Sequence, residues 1–258
     1  MNILFIGDIV GRAGRIMLRE HLPRIIDREQ IDFVIANGEN AAAGFGLTTD
    51  VSTELLAQGI DVLTSGNHIW DKREIYPQLE KNECLLRPAN YPPGAPGRGY
   101  GLFSTSAGYP VGVVNLEGRV FMNPLDCPFR SADAILEELR RQTAVIIVDM
   151  HAEATSEKQA LARYLDGRVS LVVGTHTHVQ TADEQILPGG TAYLTDAGMT
   201  GGSDSIIGMR QEGVIERFLT QLPTRFDVGK NAPILNGVIC RVEQDSGKAQ
   251  SIERVFLR

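Results

Sequence analysis

The stretch Asn2-Ile3-Leu4-Phe5-Ile6-Gly7-Asp8 decides the fold class. Its apolar run, too short for an ordinary helix, stops at a glycine and then at a carboxylate. Such a run reads as a strand covered on both faces, with a chemically active side chain at its exit. The same pattern recurs before Gly38-Glu39-Asn40, Gly66-Asn67-His68, Met150-His151 and Thr175-His176-Thr177-His178, and these segments hold four of the five histidines. Strand ends in an open α/β sheet face one crevice, so carboxylate, amide and imidazole groups are expected to gather there.

Working outward, Asn2–Ile6, Phe33–Ala36 and Val62–Ser65 are strand candidates separated by helical patterns over Arg15–Glu29 and Thr49–Gln58, the latter stopped by Gly59. Ala144–Asp149 and Ser170–Val173 are continuous apolar runs flanking a helix over Ser156–Leu165, with Ser156 and Gln159 as a capping box and Gly167 as the C-cap. Gly101–Ser104 with Val111–Asn115 across Thr105–Pro110, and Gly237–Glu243 with Ile252–Leu257 across Asp245-Ser246-Gly247, read as antiparallel pairs. Mixed strand types imply two stacked sheets with helices outside. Arg87–Gly99, with four prolines and three glycines, is expected to be a long loop near the sheet ends and not a linker. Residues 1–258 are therefore expected to form a single domain.

Composition narrows the class further. With 43% hydrophobic and 22% charged residues the chain is ordinary for a soluble globular fold, and no apolar run reaches membrane-spanning length. The opening segment runs straight into Asp8 and lacks a basic flank, so it reads as a first strand and not as a leader. Cys84, Cys127 and Cys240 are scattered and odd in number, as expected for reduced packing residues of a cytoplasmic protein. A net charge of −7 argues against broad nucleic-acid binding and against a membrane surface.

The chemistry of the strand exits points to metals. Asp8 and Glu39 supply anionic oxygen, Asn40 and Asn67 amide oxygen, and His151, His176 and His178 imidazole nitrogen. Residues two apart in an extended segment share a face, so His176 and His178 can reach neighbouring ions. This mixed set suits manganese, iron or zinc better than calcium or a thiolate site. Two divalent cations less two carboxylates leave about +2, which favours a bridging hydroxide and a phosphoryl group. Each residue also has a plain structural reading: Asp8 as a helix N-cap, Asn67 as a turn residue, His151 as a satisfied core histidine. Those readings would have to hold at five strand ends together. His21, beside Glu20 in a helical pattern, reads as a solvated face.

In these residues the chain resembles the calcineurin-like metallophosphoesterase superfamily, which carries Gly-Asp, Gly-Asn-His and a terminal His-x-His as separated blocks. Two departures narrow the resemblance. Val10 stands where Asp-x-His would place histidine, and Asn37-Gly38-Glu39-Asn40 replaces the usual aspartate block. With Gly66-Asn67-His68-Ile69-Trp70-Asp71 and Gly174-Thr175-His176-Thr177-His178, the chain is similar to the bacterial YmdB-like branch.

The resemblance implies a four-layer α/β/β/α sandwich of two mixed sheets flanked by helices, with two divalent or mixed-valence metal ions between the sheet ends. It assigns Asp8, Glu39, Asn40 and His178 to the first metal and Glu39, Asn67, His151 and His176 to the second. Asn40 replaces the missing histidine, which hardens the first site and favours iron or manganese over zinc. The implied activity is phosphodiester hydrolysis of small phosphoesters, cyclic nucleotides of the 2′,3′- or 3′,5′-cyclic AMP type, by a metal-bridging hydroxide with His68 as proton donor. Asp71 either orients His68 or caps the next helix.

The alternatives are a phosphomonoesterase on the same metals and a ligand-sensing regulatory protein. A monoester would call for an extra cation, with Arg87, Arg119 and Arg130 as candidates, and the loops Arg87–Gly99 and Gly198–Gly202 as specificity elements. Gly7, Gly11 and Gly14 do not form a dinucleotide-binding fingerprint. A homo-oligomer is the base-rate expectation.

Overall fold

The computed structural model describes residues Met1–Arg258. The first half runs β1 (Asn2–Ile6), β2 (Asp8–Ile9), α1 (Gly11–Glu29), β3 (Phe33–Asn37), α2 (Thr49–Ala57), β4 (Val62–Thr64), a 3-10 turn over Asn67–Asp71, α3 (Tyr76–Lys81), β5 (Tyr100–Ser104) and β6 (Pro110–Glu117). The second half runs α4 (Pro128–Leu139), β7 (Ile146–His151), α5 (Thr155–Leu165), β8 (Leu171–Thr175), β9 (Gln185–Ile186), β10 (Ala192–Leu194), β11 (Met199–Gly202), α6 (Gln211–Thr220), β12 (Pro233–Val242) and β13 (Ala249–Leu257). No helix is long and apolar enough to cross a membrane.

One sheet has the order β2-β11-β12-β1-β3-β4, with β13 paired to β12. Within it β1, β3 and β4 are parallel, so their C-terminal ends emerge on one edge. The other sheet has the order β5-β6-β7-β8-β10-β9, and its four central strands are parallel. The expected antiparallel pairs β5–β6 and β12–β13 both form.

Strand alternation sorts the apolar residues into layers. Ile3 and Phe5 of β1 pack with Val113, Ile147 and Val173 in a core between the sheets. Their neighbours Leu4 and Ile6 face the other way, against Leu18 and Leu22 of α1 and Leu55 of α2. On the far side Val114, Val148 and Val172 pack under Leu136 of α4 and Leu161 of α5. Both faces of the central strands are thus covered, which is why their sequences read as unbroken apolar runs. The result is the α/β/β/α sandwich. Truncating a fully buried aromatic such as Phe5 in its middle layer would cost about 3–5 kcal/mol.

Three expectations need correction. Helix α1 starts at Gly11, four residues before Arg15; its first turn carries the poor helix former Gly14 because any Cβ there would strike the Thr200 carbonyl. Ser156 does not cap α5: the N-cap is Ala154 without a side-chain bond, and the Glu157 carboxylate instead accepts from the Arg119 and Val120 amides at 3.1 and 3.2 Å. Gly198–Gly202 is not a surface loop, since Met199–Gly202 is the buried strand β11, paired with β2 and β12. Its glycines are packing residues: a Cβ on Gly7 would collide with the Gly198 carbonyl.

Candidate metal centre

Strand exits from both sheets meet at one point. Asp8 follows Gly7 at the end of β1 and is fixed by pairing with Met199 of β11, so the N-cap reading fails; Val10 is the cap of α1. Glu39 and Asn40 follow β3, Asn67 and His68 follow β4, His151 ends β7, and His176 and His178 follow β8. The first sheet therefore supplies the carboxylates and amides, the second the imidazoles of His151, His176 and His178.

The donor atoms form two clusters that share Glu39. In one, His151 Nε2 lies 3.2 Å from Glu39 Oε1, 3.2 Å from Asn67 Oδ1 and 3.0 Å from His176 Nδ1. In the other, His178 Nε2 lies 3.7 Å from Asp8 Oδ1 and 3.2 Å from Asn40 Nδ2, which also donates to Glu39 Oε1 at 3.0 Å. Half a turn of the Asn40 amide would bring Oδ1 to the same place.

These residues fit metal ions. A ring nitrogen offers either one hydrogen or one lone pair, so His151 Nε2 can hydrogen-bond only one of the two oxygens and one ring nitrogen around it. Metal bonds of about 2.1 Å set neighbouring ligands about 3.0–3.4 Å apart, the spacing found around His151. Asp8 Oδ1 is buried without any hydrogen-bond partner, as an oxygen awaiting a cation would be. Gly66 leaves the necessary room, since a Cβ there would strike both the His151 ring and Glu39.

A second tier of contacts fixes the rings. His151 Nδ1 meets Thr175 Oγ1 at 2.9 Å, and that hydroxyl donates to Asp149 Oδ1 at 2.7 Å. Asp149 also accepts from Thr64 Oγ1 and Asn37 Nδ2. His178 Nδ1 donates to the Ile207 carbonyl at 2.8 Å, which leaves Nε2 aimed at the cluster. His176 Nε2 faces Glu153 Oε2 at 3.3 Å. Backbone strain accompanies this order, for His176 and His178 sit at φ +97° and +65°. Asp196 holds the turn between them, accepting from the Thr177 amide and hydroxyl at 3.1 and 2.6 Å and from Lys158 Nζ at 2.8 Å.

Electrostatics follow from burial and proximity. Burial alone would raise Glu39 and lower His151, but their mutual attraction wins, holding the carboxyl down and the ring up. Burial, then the His151 ring, pulls His176 down to about 3. Burial pushes Asp8 up, and Asp149 up to about 6. Glu117, opposite His151 in the β6–β7 register, has no partner for either carboxyl oxygen and is pushed up to about 7 by burial.

His68 Nδ1 lies 2.9 Å from Asp71 Oδ2, the ring stands edge-on to Phe45, and its backbone amide donates to Glu39 Oε2 at 3.1 Å. Asp71 thus orients His68 and caps no helix. A cavity of about 640 Å³ opens over Glu39, Asn40, His68, His176 and His178, walled opposite by Phe45, Ile207 and Phe218. Arg217 is its single lining cation. Arg87 is spent on the carbonyls of Pro88, Ala95 and Pro96, and neither it, Arg119, Arg130 nor any part of Arg87–Gly99 lines the cavity. His21 is half-buried on α1, away from the cavity.

The structure therefore brings together Asp8, Glu39, Asn40, Asn67, His68, His151, His176 and His178. Sequence reasoning missed Asp149, Thr175, Glu153, Lys158, Asp196, Glu117 and Ile207. Only Asp149 left a signal, as a charge within an otherwise apolar run.

Comparison with known proteins identifies the family and the fold. A family model described as YmdB-like protein matches residues 4–255. A 2′,3′-cyclic-nucleotide 2′-phosphodiesterase of Bacillus subtilis (strain 168) is 50% identical over 257 residues, covering 100% of this chain and 97% of that protein. Solved structures of a hypothetical protein from Thermus thermophilus and of a novel phosphatase from Mycoplasma pneumoniae superpose with TM-scores of 0.93 and 0.93, at 45% and 34% identity. Both alignments cover 100% of this chain, and 99% and 93% of the respective structures.

Proposed function

Since the chain belongs to the YmdB-like family and is a phosphoester hydrolase of the metallophosphoesterase fold, we propose that it is a dinuclear metal-dependent phosphodiesterase acting on small cyclic nucleotides. The observation that carries this reading is the pair of donor clusters joined at Glu39. Asp8, Glu39, Asn40 and His178 would hold one ion, and Glu39, Asn67, His151 and His176 the other. When bound, two such ions supply Lewis-acid stabilisation of charge on the phosphoryl oxygens and a nucleophile at neutral pH. The oxygen-rich first set favours iron or manganese over zinc.

The chain's own contribution is proton management and exclusion. Asp71 engages His68 Nδ1 and so directs Nε2 toward the cavity, where a proton held on that atom can pass to a departing ribose alkoxide. An alkoxide is a poor leaving group at neutral pH, so this transfer carries much of the rate. The Phe45, Ile207 and Phe218 wall would take the organic part of the ester and displace water from the reacting phosphate.

A singly charged diester suits this cavity better than a dianionic monoester, because Arg217 is its only lining cation and Arg87 is committed elsewhere. Turnover by enzyme reconstituted with iron, manganese, zinc or magnesium tests the reading. Cyclic nucleotides and bis-p-nitrophenyl phosphate should exceed p-nitrophenyl phosphate in kcat/KM. The reverse order would make the protein a phosphomonoesterase.

A further inference from the structure

The cavity over the donor clusters adjoins a second, larger one of about 1220 Å³, and Phe45 and Phe226 line both. The second is lined by Arg12 at the start of α1, Lys72 beyond the 3-10 turn, and Arg225 and Lys230 on the strap that follows α6. None of these four is bridged to a carboxylate. Arg210 also lines it but is paired with Glu212 at 3.4 Å, and Asp204 and Asp227 are the remaining carboxylates. Five cations against three carboxylates leave this cavity at +2 within a chain of net −7. Clustered like charges repel one another in the folded state, but they concentrate an anionic ligand.

The cations stand on a framed backbone. Gly229 N donates to the Gly208 carbonyl at 2.8 Å and Arg210 N to the Asp227 carbonyl at 2.7 Å, tying the strap to the segment Ser205–Arg210. Val228 seats against Gly11 and Gly44, whose φ values of +58° and +92° and lack of Cβ make room for it. The same segment carries Ile207, whose carbonyl orients His178. The cationic cavity and the donor clusters therefore share one support.

We propose that the cationic cavity binds further phosphates of the substrate, so that the preferred substrate is a short single-stranded oligonucleotide ending in a cyclic phosphate. Its terminal ring phosphate would lie over the donor clusters. A base would pack at the Phe45–Phe226 boundary, and the preceding phosphates would meet Arg12, Lys72, Arg225 and Lys230. This rests on the phosphodiesterase reading and extends it from free nucleotides to chain ends.

The test compares adenosine 2′,3′-cyclic phosphate, its 5′-phosphorylated form and a tetranucleotide ending in a 2′,3′-cyclic phosphate. Each is assayed with the reconstituted wild type and with Arg225→Gln/Lys230→Gln. A labelled tetranucleotide 3′-phosphate is titrated by fluorescence anisotropy in parallel. The tetranucleotide should show at least tenfold higher kcat/KM at low salt, with an advantage lost in the variant while the mononucleotide is unchanged. The slope of log binding constant against log salt should fall by about 0.7 for each phosphate contact removed. An equal gain from the single 5′-phosphate would overturn the oligonucleotide assignment in favour of a one-phosphate pocket. Equal kcat/KM for all three wild-type substrates would overturn the proposal and leave the phosphodiesterase reading standing. If no cyclic phosphate is turned over, that reading fails, and anisotropy alone decides the cavity: binding weakened in the variant supports it, and unchanged binding overturns it.

Discussion

Lys158 Nζ lies 2.8 Å from Asp196 Oδ2, and the two side chains are 1% and 0% exposed. Asp196 is also the acceptor that grips Thr177 between the two strained histidines. Removing the cation alone would leave a buried carboxylate without its counter-charge, a loss of about 3–5 kcal/mol. Lys158→Met should therefore lower the urea midpoint strongly, and adding Asp196→Asn should recover part of the loss. A Lys158→Met protein as stable as the wild type would show that the pair is structurally idle.

Metal content tests the proposed sharing of Glu39 between the two ions. Glu39→Ala should lose both ions together, whereas Asp8→Ala should chiefly empty the cluster that contains His178. Elemental analysis of purified variants gives the answer directly. Two ions retained in Glu39→Ala would end its assignment as the bridge.

His68 touches neither donor cluster as a ligand, so its removal should leave the metals in place. His68→Ala should lose a factor of about 10² to 10⁴ in kcat on substrates with alkoxide leaving groups. The loss should shrink for p-nitrophenolate, which departs without a proton. Asp71→Asn should give a smaller loss of the same pattern, because it only orients the ring. Equal losses on both kinds of leaving group would mean that His68 acts as a charge and not as an acid.

Glu117 sets a pH dependence in the metal-free protein. Burial raises its carboxyl from 4.5 to about 7, so between those values the folded state holds a proton that the unfolded chain has released. Stability from this group is thus greatest below pH 4.5, falls as pH rises, and by pH 8 is diminished by about 3 kcal/mol. Glu117→Gln should raise the melting temperature at pH 8 and change it little at pH 5. A gain independent of pH would point to packing instead.

The sequence made the central strands legible because both their faces are covered, and made the donors legible because short polar residues stand at the strand exits. The start of α1 was hidden, since Gly11 and Gly14 are poor helix formers and are there to meet the Val228 side chain and the Thr200 carbonyl. The supporting contacts were hidden for another reason. Lys158 and Asp196 are 38 positions apart, and Glu117 meets His151 only through the β6–β7 register. Strain at His176, His178 and Ile207 leaves no local mark, since none is a glycine. Local chemistry can be read from neighbours in the chain, but pairings fixed by strand register cannot.

Each donor cluster draws from both sheets: Asp8 and Glu39 meet His178, and Glu39 meets His151 and His176. An ion bound to either cluster is therefore a cross-link between two layers otherwise joined by side-chain packing and by buried hydrogen bonds such as those from Thr64 and Asn37 to Asp149, and its affinity and the cohesion of the sandwich become one linked equilibrium. At a free concentration a hundredfold above its dissociation constant, one such ion would add about 2.7 kcal/mol to the stability of the whole chain. Starving the protein of metal would then do more than silence a catalyst: it would loosen the seam between the halves and expose the chain to proteolysis, so that abundance itself would follow metal supply.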